Sequence, residues 1–132
     1  MQIVVVALAI IAIWFVFRIA KNYAGRIGQI ADSVGETAAL ASQGVKKSYT
    51  QSQYNAFAGQ LYYAIKGFGT DEEVIYSVFS KMQNDLDVIA LTNAYGIRDG
   101  YDLQGWLRGD LSSSEMAKLN NILSNKGITK QF

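Results

Sequence analysis

An uninterrupted apolar run near the start of the chain is the feature that most limits what this molecule can be. It covers residues 3–17, IVVVALAIIAIWFVF, and eleven of its fifteen residues are Ile, Leu, Val or Phe. At about 0.3–0.6 kcal/mol each, these residues favour insertion into a bilayer by roughly 3–7 kcal/mol. A helix of this length rises about 22 Å, and residues 19 and 20 lengthen it if Arg18 extends its charged end to the headgroups. We therefore predict a transmembrane anchor over residues 1–20.

The charges around this run predict whether it is cleaved or retained and how it is oriented in the membrane. Arg18, Lys21 and Arg26 follow it, and no charged side chain precedes it. A cleaved signal peptide has an apolar region of similar length, but it carries a basic segment before that region and small residues at a cleavage site after it. We therefore favour a retained single-pass anchor over a cleaved signal. The positive-inside rule then places the amino terminus outside a cell membrane and the rest of the chain on the cytoplasmic side; an internal virion membrane is the other setting considered.

Composition excludes most of the common site chemistries. The 132 residues include no Cys, His or Pro, and twelve basic residues balance eleven acidic ones. Disulfides, Cys/His zinc sites, thiol nucleophiles and histidine acid–base catalysis are therefore excluded, and a bound metal must be a hard cation held by oxygen. A net charge of +1 gives no electrostatic reason to bind nucleic acid. The closely spaced carboxylates at 85 and 87, and at 99 and 102, lie where Asp is common at helix starts and in loops, so we predict no enzymatic activity.

A basic segment over residues 21–48 is predicted to form a stalk or a juxtamembrane helix. Apolar residues recur on one helical face at Ile19, Tyr23, Ile27, Ile30, Val34, Ala38, Ala41 and Val45. Glycines at 25, 28, 35 and 44 weaken this helix, so it needs a surface to lie on. Four alternatives remain open: a stalk continuing the membrane helix, a helix in the headgroup layer, a seam against partner proteins or other copies of the chain, and a solvated linker.

Residues 49–132 are predicted to form an all-α domain of five helices. Helical spacing predicts a buried set of Tyr54, Phe57, Ala58, Leu61, Ile65, Val74, Ile75, Val78, Phe79, Met82, Leu86, Ile89, Ala90, Ala94, Tyr95, Leu103, Trp106, Leu107, Met116, Leu119, Ile122 and Leu123. The Gly67-Phe68-Gly69 turn ends the first helix, and Gly127 ends the fifth. Thr70 with Glu73, and Ser112 with Glu115, are predicted capping boxes for the second and fifth helices. Most of the domain's tyrosines are expected in the core.

One stretch of this domain resembles an annexin repeat. The residues that carry the resemblance are Ala64-Ile65-Lys66-Gly67-Phe68-Gly69-Thr70-Asp71-Glu72-Glu73, then Gly100-Tyr101-Asp102-Leu103, then Leu107-Arg108-Gly109-Asp110-Leu111-Ser112. The first looks like the K-G-x-G-T-D-E motif that opens such a repeat. The match covers residues 56–124, one five-helix repeat, whereas annexins stack four.

The resemblance implies a weak calcium site. In annexins, carbonyl oxygens of the motif turn join one later carboxylate to hold the ion, and the matching groups here are the carbonyls of Ile65, Gly67 and Gly69 and the side chain of Asp110. Asp110 is one methylene shorter than the usual Glu and stands one residue further along the chain. With a single carboxylate, the site would belong to the weak end of the calcium range, near 10⁻⁴–10⁻³ M. The alternative is that the turn only connects two helices.

Together these features predict a non-enzymatic, membrane-anchored structural or tethering protein. Its expected partners are the lipid bilayer and a protein, and the size of the chain suits a minor membrane protein of a lipid-containing virion that links membrane to protein shell. One alternative is a calcium-dependent membrane-bridging module. The other is an envelope protein that binds cell wall or another protein.

Overall fold

The part of the chain that can be described is mostly helical. The computed structural model describes residues 34–67 and 69–132. Within these residues there are six helices and one pair of short strands: α1 (residues 34–42), α2 (Gln51–Lys66), α3 (Glu72–Ser80), α4 (Asp85–Tyr95), β1 (Ile97–Arg98), β2 (Tyr101–Asp102), α5 (Leu103–Asp110) and α6 (Ser113–Asn125). The predicted helical class is confirmed, and the five predicted helices correspond to α2–α6. The predicted anchor and residues 21–33 of the predicted stalk lie outside the described residues.

Helix α4 is buried along most of its length. Its buried residues follow one another along the chain instead of forming a stripe: Leu86, Asp87, Val88, Ile89, Ala90, Leu91 and Tyr95. A helix that is apolar on all sides belongs in the interior of a domain. Helix α2 packs against both α3 and α4, α6 packs against α3, and α5 packs against α2. The core lies between these helices, and most of the residues predicted to be buried belong to it; Phe57, Val74, Ala94, Trp106, Met116 and Ile122 are only partly buried.

The helix starts are fixed by polar side chains, and one of the two predicted capping boxes is wrong. Ser112 and Glu115 form the expected reciprocal pair at α6. At α3, however, the N-cap is Asp71, whose carboxylate accepts a hydrogen bond from the Val74 amide at 3.3 Å. Thr70 does not cap because the Asp71 amide donates back to the Ala64 carbonyl at 3.0 Å, which keeps the chain in the turn for one more residue.

Two helices end in the same glycine-dependent way. At α1, Val45 N–H donates to Leu40 O and Gly44 N–H to Ala41 O, with Gly44 at φ +82°. This is the Schellman arrangement, in which the left-handed residue is favoured to be glycine. Gly127, at φ +73°, ends α6 with the same pair of bonds. The predicted end of this helix is confirmed. The helix predicted to extend through Val45 therefore stops at residue 42, because Gly44 reverses the backbone.

The two strands form a tight hairpin where the sequence pattern predicts a loop. Ile97 pairs with Asp102 and Arg98 with Tyr101 in antiparallel register. The connecting residues are Asp99 at φ +52° and Gly100 at φ +90°. Two consecutive residues with positive φ are typical of a type I′ turn, whose twist matches that of the strands and which favours Asp-Gly.

No helix within residues 34–67 or 69–132 combines the length and the apolar character needed to cross a membrane.

Candidate functional site

The turn after α2 has room only for glycine at its first position. Gly67 donates its N–H to Tyr63 O at 3.1 Å, and a Cβ at Gly67 would lie 3.2 Å from Tyr63 O and 3.8 Å from Gly69 O. Gly67 itself has an ordinary φ of −62°. Among the described residues of this turn, Gly69 has a positive φ, at +81°. Gly67 therefore makes room for the Tyr63 carbonyl, and Gly69 allows the left-handed backbone conformation.

Asp110, the predicted acidic ligand, is the last residue of α5 and is exposed. Its negative charge is among the causes that raise the pKa of the Tyr95 hydroxyl, so the two groups lie within electrostatic range. Among the described residues, no group of three or more acidic side chains is placed to hold a metal ion. The predicted calcium site is of another kind, since it takes three carbonyls and one carboxylate. Whether Ile65, Gly67, Gly69 and Asp110 assemble around an ion stays a prediction.

A network of polar and aromatic side chains lies beside this turn. The Tyr62 hydroxyl donates to Asp99 Oδ2 at 2.7 Å and accepts from Lys66 Nζ at 2.7 Å, and Lys66 Nζ lies 3.7 Å from Asp99 Oδ2. The hydrogen bond to Tyr62, and then the charge of Asp99, raise the pKa of Lys66. The ion pair is about half exposed on both sides, so it contributes little stability by itself. Its effect is to join the tip of the hairpin to the end of α2.

Arg98 fixes the hairpin more firmly. Its guanidinium carbon lies 5.2 Å from the centre of the Tyr62 ring and 5.0 Å from that of Tyr95, and its Nε donates to Tyr95 O at 3.1 Å. A cation at this distance from an aromatic ring contributes roughly 0.5–2 kcal/mol, depending on its exposure. The hairpin is therefore held against both α2 and α4.

The Tyr95 hydroxyl is the one buried side-chain polar atom without a hydrogen-bond partner in the described part of the chain. The residue is only 2% exposed. Burial raises the pKa of Tyr95 to about 12; Arg98 acts in the opposite direction, while Tyr62, Asp99 and Asp110 raise the pKa further. Leaving a buried hydroxyl unpaired costs about 1–3 kcal/mol.

The most highly organised polar site is built around Asp87, which the sequence pattern predicts only as an acid at a helix start. Asp87 is fully buried, and its carboxylate accepts hydrogen bonds from Ser48 N at 2.8 Å, Gln83 N at 2.8 Å and the Tyr54 hydroxyl. Burial alone would raise the pKa of Asp87, but these donors outweigh it and hold the pKa below its usual value. Burial and the bond to Asp87 raise the pKa of Tyr54. Tyr54 is therefore neutral and Asp87 ionised at neutral pH.

Further hydrogen bonds attach the chain before α2 to the same place. Asn84 Nδ2 donates to Lys46 O at 2.8 Å, and the Tyr49 hydroxyl donates to Lys81 O at 2.6 Å. We call residues 46–49, with the side chains that hold them, the junction. The local signal was Asn84-Asp85-Leu86-Asp87, in which Asn84 caps α4 and leaves the Asp87 side chain available for another role.

The neighbouring carboxylate holds the other end of the domain. Asp85 accepts hydrogen bonds from Thr129 N at 2.7 Å and Thr129 Oγ1 at 2.6 Å. The side chain of Asn120 makes two further bonds of 2.9 Å with the main chain of Phe132, whose ring lies 5.2 Å from that of Phe79. The start of α4 therefore fixes both the segment that enters the domain and the segment that leaves α6.

Comparisons with protein-family models, curated proteins and solved structures gave no match to this chain. The annexin resemblance therefore rests on its motif residues alone.

Proposed function

We propose that this chain is a non-enzymatic tether that holds a helical domain to a membrane through an anchor over residues 1–20. The observation that carries the proposal is the junction, because it attaches the chain between the apolar run and the domain at a buried carboxylate. Donors from two separate stretches of the chain converge on Asp87: Ser48 and Tyr54 from around the start of α2, and Gln83 from just before α4. A polar network that is fully hydrogen-bonded resists rearrangement, since each lost partner leaves a costly buried group.

A segment attached to the domain in this way is better suited to a mechanical link than a flexible linker would be. A pull on the chain at Lys46 must first break the hydrogen bonds to Asn84 and Asp87 before it reaches α2. The domain would bind a protein at the end of the tether away from the membrane. We propose a virion shell as this partner, with cell wall or another envelope protein as the alternative.

Membrane extraction tests the anchor. The full chain should stay with membranes through high salt and alkaline carbonate, whereas a chain lacking residues 3–17 should be released. Recovery of the full chain in the soluble fraction, or of a product that begins after residue 20, would exclude a retained anchor.

Trypsin tests the junction, because Lys46 and Lys47 supply cleavage sites within it. In membranes, cleavage after these residues should be slow in the parent chain and faster in Asp87→Asn, since a protease needs a freed segment. The matched control is Asp71→Asn, which exchanges one good N-cap for another. Equal cleavage rates in the parent and in Asp87→Asn would show that the junction does not restrain the chain.

The glycine turn favours a second candidate function, a calcium-dependent membrane-bridging module. The Gly69 carbonyl lies 3.8 Å from the position of a Cβ at Gly67, Gly69 has the positive φ of a tight turn, and Asp110 is exposed. At ten times a dissociation constant of about 10⁻³ M, calcium would stabilise the domain by roughly 1.4 kcal/mol. The melting temperature of a fragment of residues 37–132 should then rise by several degrees, and Asp110→Asn should abolish the rise. No rise at 10 mM calcium would leave the tether as the better account.

A further inference from the structure

Exposed apolar side chains occur near the end of α2 and on the hairpin. Residues 34–67 and 69–132 contain four large hydrophobic side chains classed as exposed, and three of them lie at the end of α2 and on the hairpin: Tyr63 at 76%, Tyr101 at 59% and Ile97 at 36%. The fourth, Val34, lies on α1. Tyr101 pairs with Arg98 and therefore shares its side of the hairpin, whereas Ile97 points to the opposite side. We call the surface formed by Tyr63 and Tyr101, together with the partly buried Tyr62 and Trp106, the aromatic face.

The aromatic face is continuous. The Tyr63 ring lies 5.7 Å from that of Tyr62, which reaches the hairpin through its bond to Asp99. On the other strand, the Tyr101 ring lies 5.4 Å from that of Trp106. The Trp106 indole N–H donates across the hairpin to Arg98 O at 2.8 Å.

The hairpin that carries part of this face is held against α2 and α4. Arg98 stacks between two rings, and the hairpin turn is tied to α2 through Tyr62 and Lys66. A surface already fixed in one conformation loses little entropy when it binds, so modest contacts suffice.

We propose that the aromatic face lies in the headgroup layer of the bilayer that holds the anchor; this inference rests on the proposed function. Tyr and Trp prefer that layer because their rings are apolar and their hydroxyl and N–H groups are polar. Lys66 and Arg98 are balanced by Asp99 and Asp102 on the hairpin, so the face carries no net charge and its expected affinity for the headgroup layer comes from the rings.

The bilayer is also the surface that the anchor keeps within reach. The 28 residues between Phe17 and Lys46 can span at most about 100 Å. A domain of this size has a radius of gyration of about 12–13 Å, so this upper limit keeps it within a few diameters of the membrane. Such confinement corresponds to effective concentrations in the millimolar range, at which weak contacts are populated.

Trp106 reports on the contact directly. The chain has two tryptophans, and Trp14→Phe leaves Trp106 as the only one. The full chain with this change is placed in phosphatidylcholine–phosphatidylglycerol vesicles, with or without bromine atoms near the headgroup end of the lipid chains. The ratio of Trp106 emission between the two vesicle types measures lipid contact and cancels intrinsic changes in brightness. We expect a loss of emission in brominated vesicles.

Two variants in the same background test the face itself. Tyr63→Ser with Tyr101→Ser should restore the emission ratio toward one, whereas Val34→Ser, which removes an exposed apolar side chain elsewhere, should not. Absence of quenching in the parent, or quenching unchanged by the two tyrosine substitutions, overturns the proposal. An emission change that depends on protein concentration and not on bromine also overturns it, because a second copy would then cover the face.

Carbonate extraction of the same vesicles separates this inference from the function on which it rests. A chain that stays in the vesicles but shows no quenching refutes the aromatic face alone. A chain that leaves the vesicles refutes the anchor and, with it, the contact.

Discussion

Replacing Asp87 by Asn is the sharpest test of how the domain is held together. Oδ1 of Asp87 accepts from Ser48 N and the Tyr54 hydroxyl, and Oδ2 accepts from Gln83 N. Asparagine retains one oxygen, so its amide group must face at least one buried donor. The unpaired donor costs about 1–3 kcal/mol, and two bonds to a neutral oxygen are each weaker by about 1 kcal/mol than bonds to a charged one. Because the variant no longer buries a charge, part of this cost is recovered. We therefore expect the free energy of unfolding to fall by about 3 kcal/mol.

Thermal melting of a fragment of residues 37–132, which forms a compact unit, measures this loss. For a domain of this size, about 3 kcal/mol lowers the melting temperature by roughly 12–24 °C. Asp71→Asn is the matched control and should melt within a few degrees of the parent, because Asn and Asp cap helices about equally well. A double-mutant cycle of Asp87→Asn with Tyr54→Phe should give a coupling energy of about 1–3 kcal/mol.

The same variant has a distinct pH signature. The pKa of Asp87 lies below its usual value of 3.8 in the folded state. The unfolded chain therefore takes up the proton first as the pH falls below about 4, and the parent loses stability there; Asp87→Asn lacks this part of the acid loss. A variant that melts within a few degrees of the parent, or that keeps the full acid dependence, would refute the account of Asp87 as an ionised, fully bonded group.

Three further predictions follow from single positions. Gly69→Ala should destabilise the 37–132 fragment by about 1–2 kcal/mol, because the φ of Gly69 is +81°. Gly59→Ala lies within a helix, with no atom within 4 Å of the added Cβ, and should stabilise the fragment by up to about 1 kcal/mol. Urea denaturation compares the two variants, and equal effects would contradict the different roles given to these glycines. Tyr95→Phe should raise the melting temperature, since it removes a buried hydroxyl without a partner among the described residues. The parent loses stability between about pH 10 and 12 because the tyrosine ionises first in the unfolded chain, and this loss should be smaller in the variant. A lower melting temperature would show that the hydroxyl is paired. Asn120→Ala should increase amide hydrogen exchange at Phe132, because two bonds to that residue's main chain are lost, and unchanged exchange would mean that the ring contact alone holds the segment.

Local signals in the sequence were sufficient for the helices. The 3–4 spacing of Tyr54, Ala58, Leu61 and Ile65 placed α2, because apolar residues at this period share one helical face. Ser112 with Glu115 and the glycine at 127 marked the limits of α6 through bonds between residues three to five apart. The one misplaced cap, Thr70 instead of Asp71, differed by a single residue because both side chains cap helices well and the deciding bond returns to Ala64.

The polar sites could not be found in this way, because their partners are distant along the chain. Ser48 and Tyr54 meet Asp87 across 39 and 33 residues, and Tyr62 meets Asp99 across 37. Spacing alone made Asp87 an ordinary first-turn acid and gave no reason to expect Tyr63 and Tyr101 on the surface. Burial depends on which helices pack around a residue. The sequence by itself therefore determined the order of the helices and most of their limits, whereas only the tertiary structure decided which carboxylate became the buried junction and which aromatic rings remained exposed.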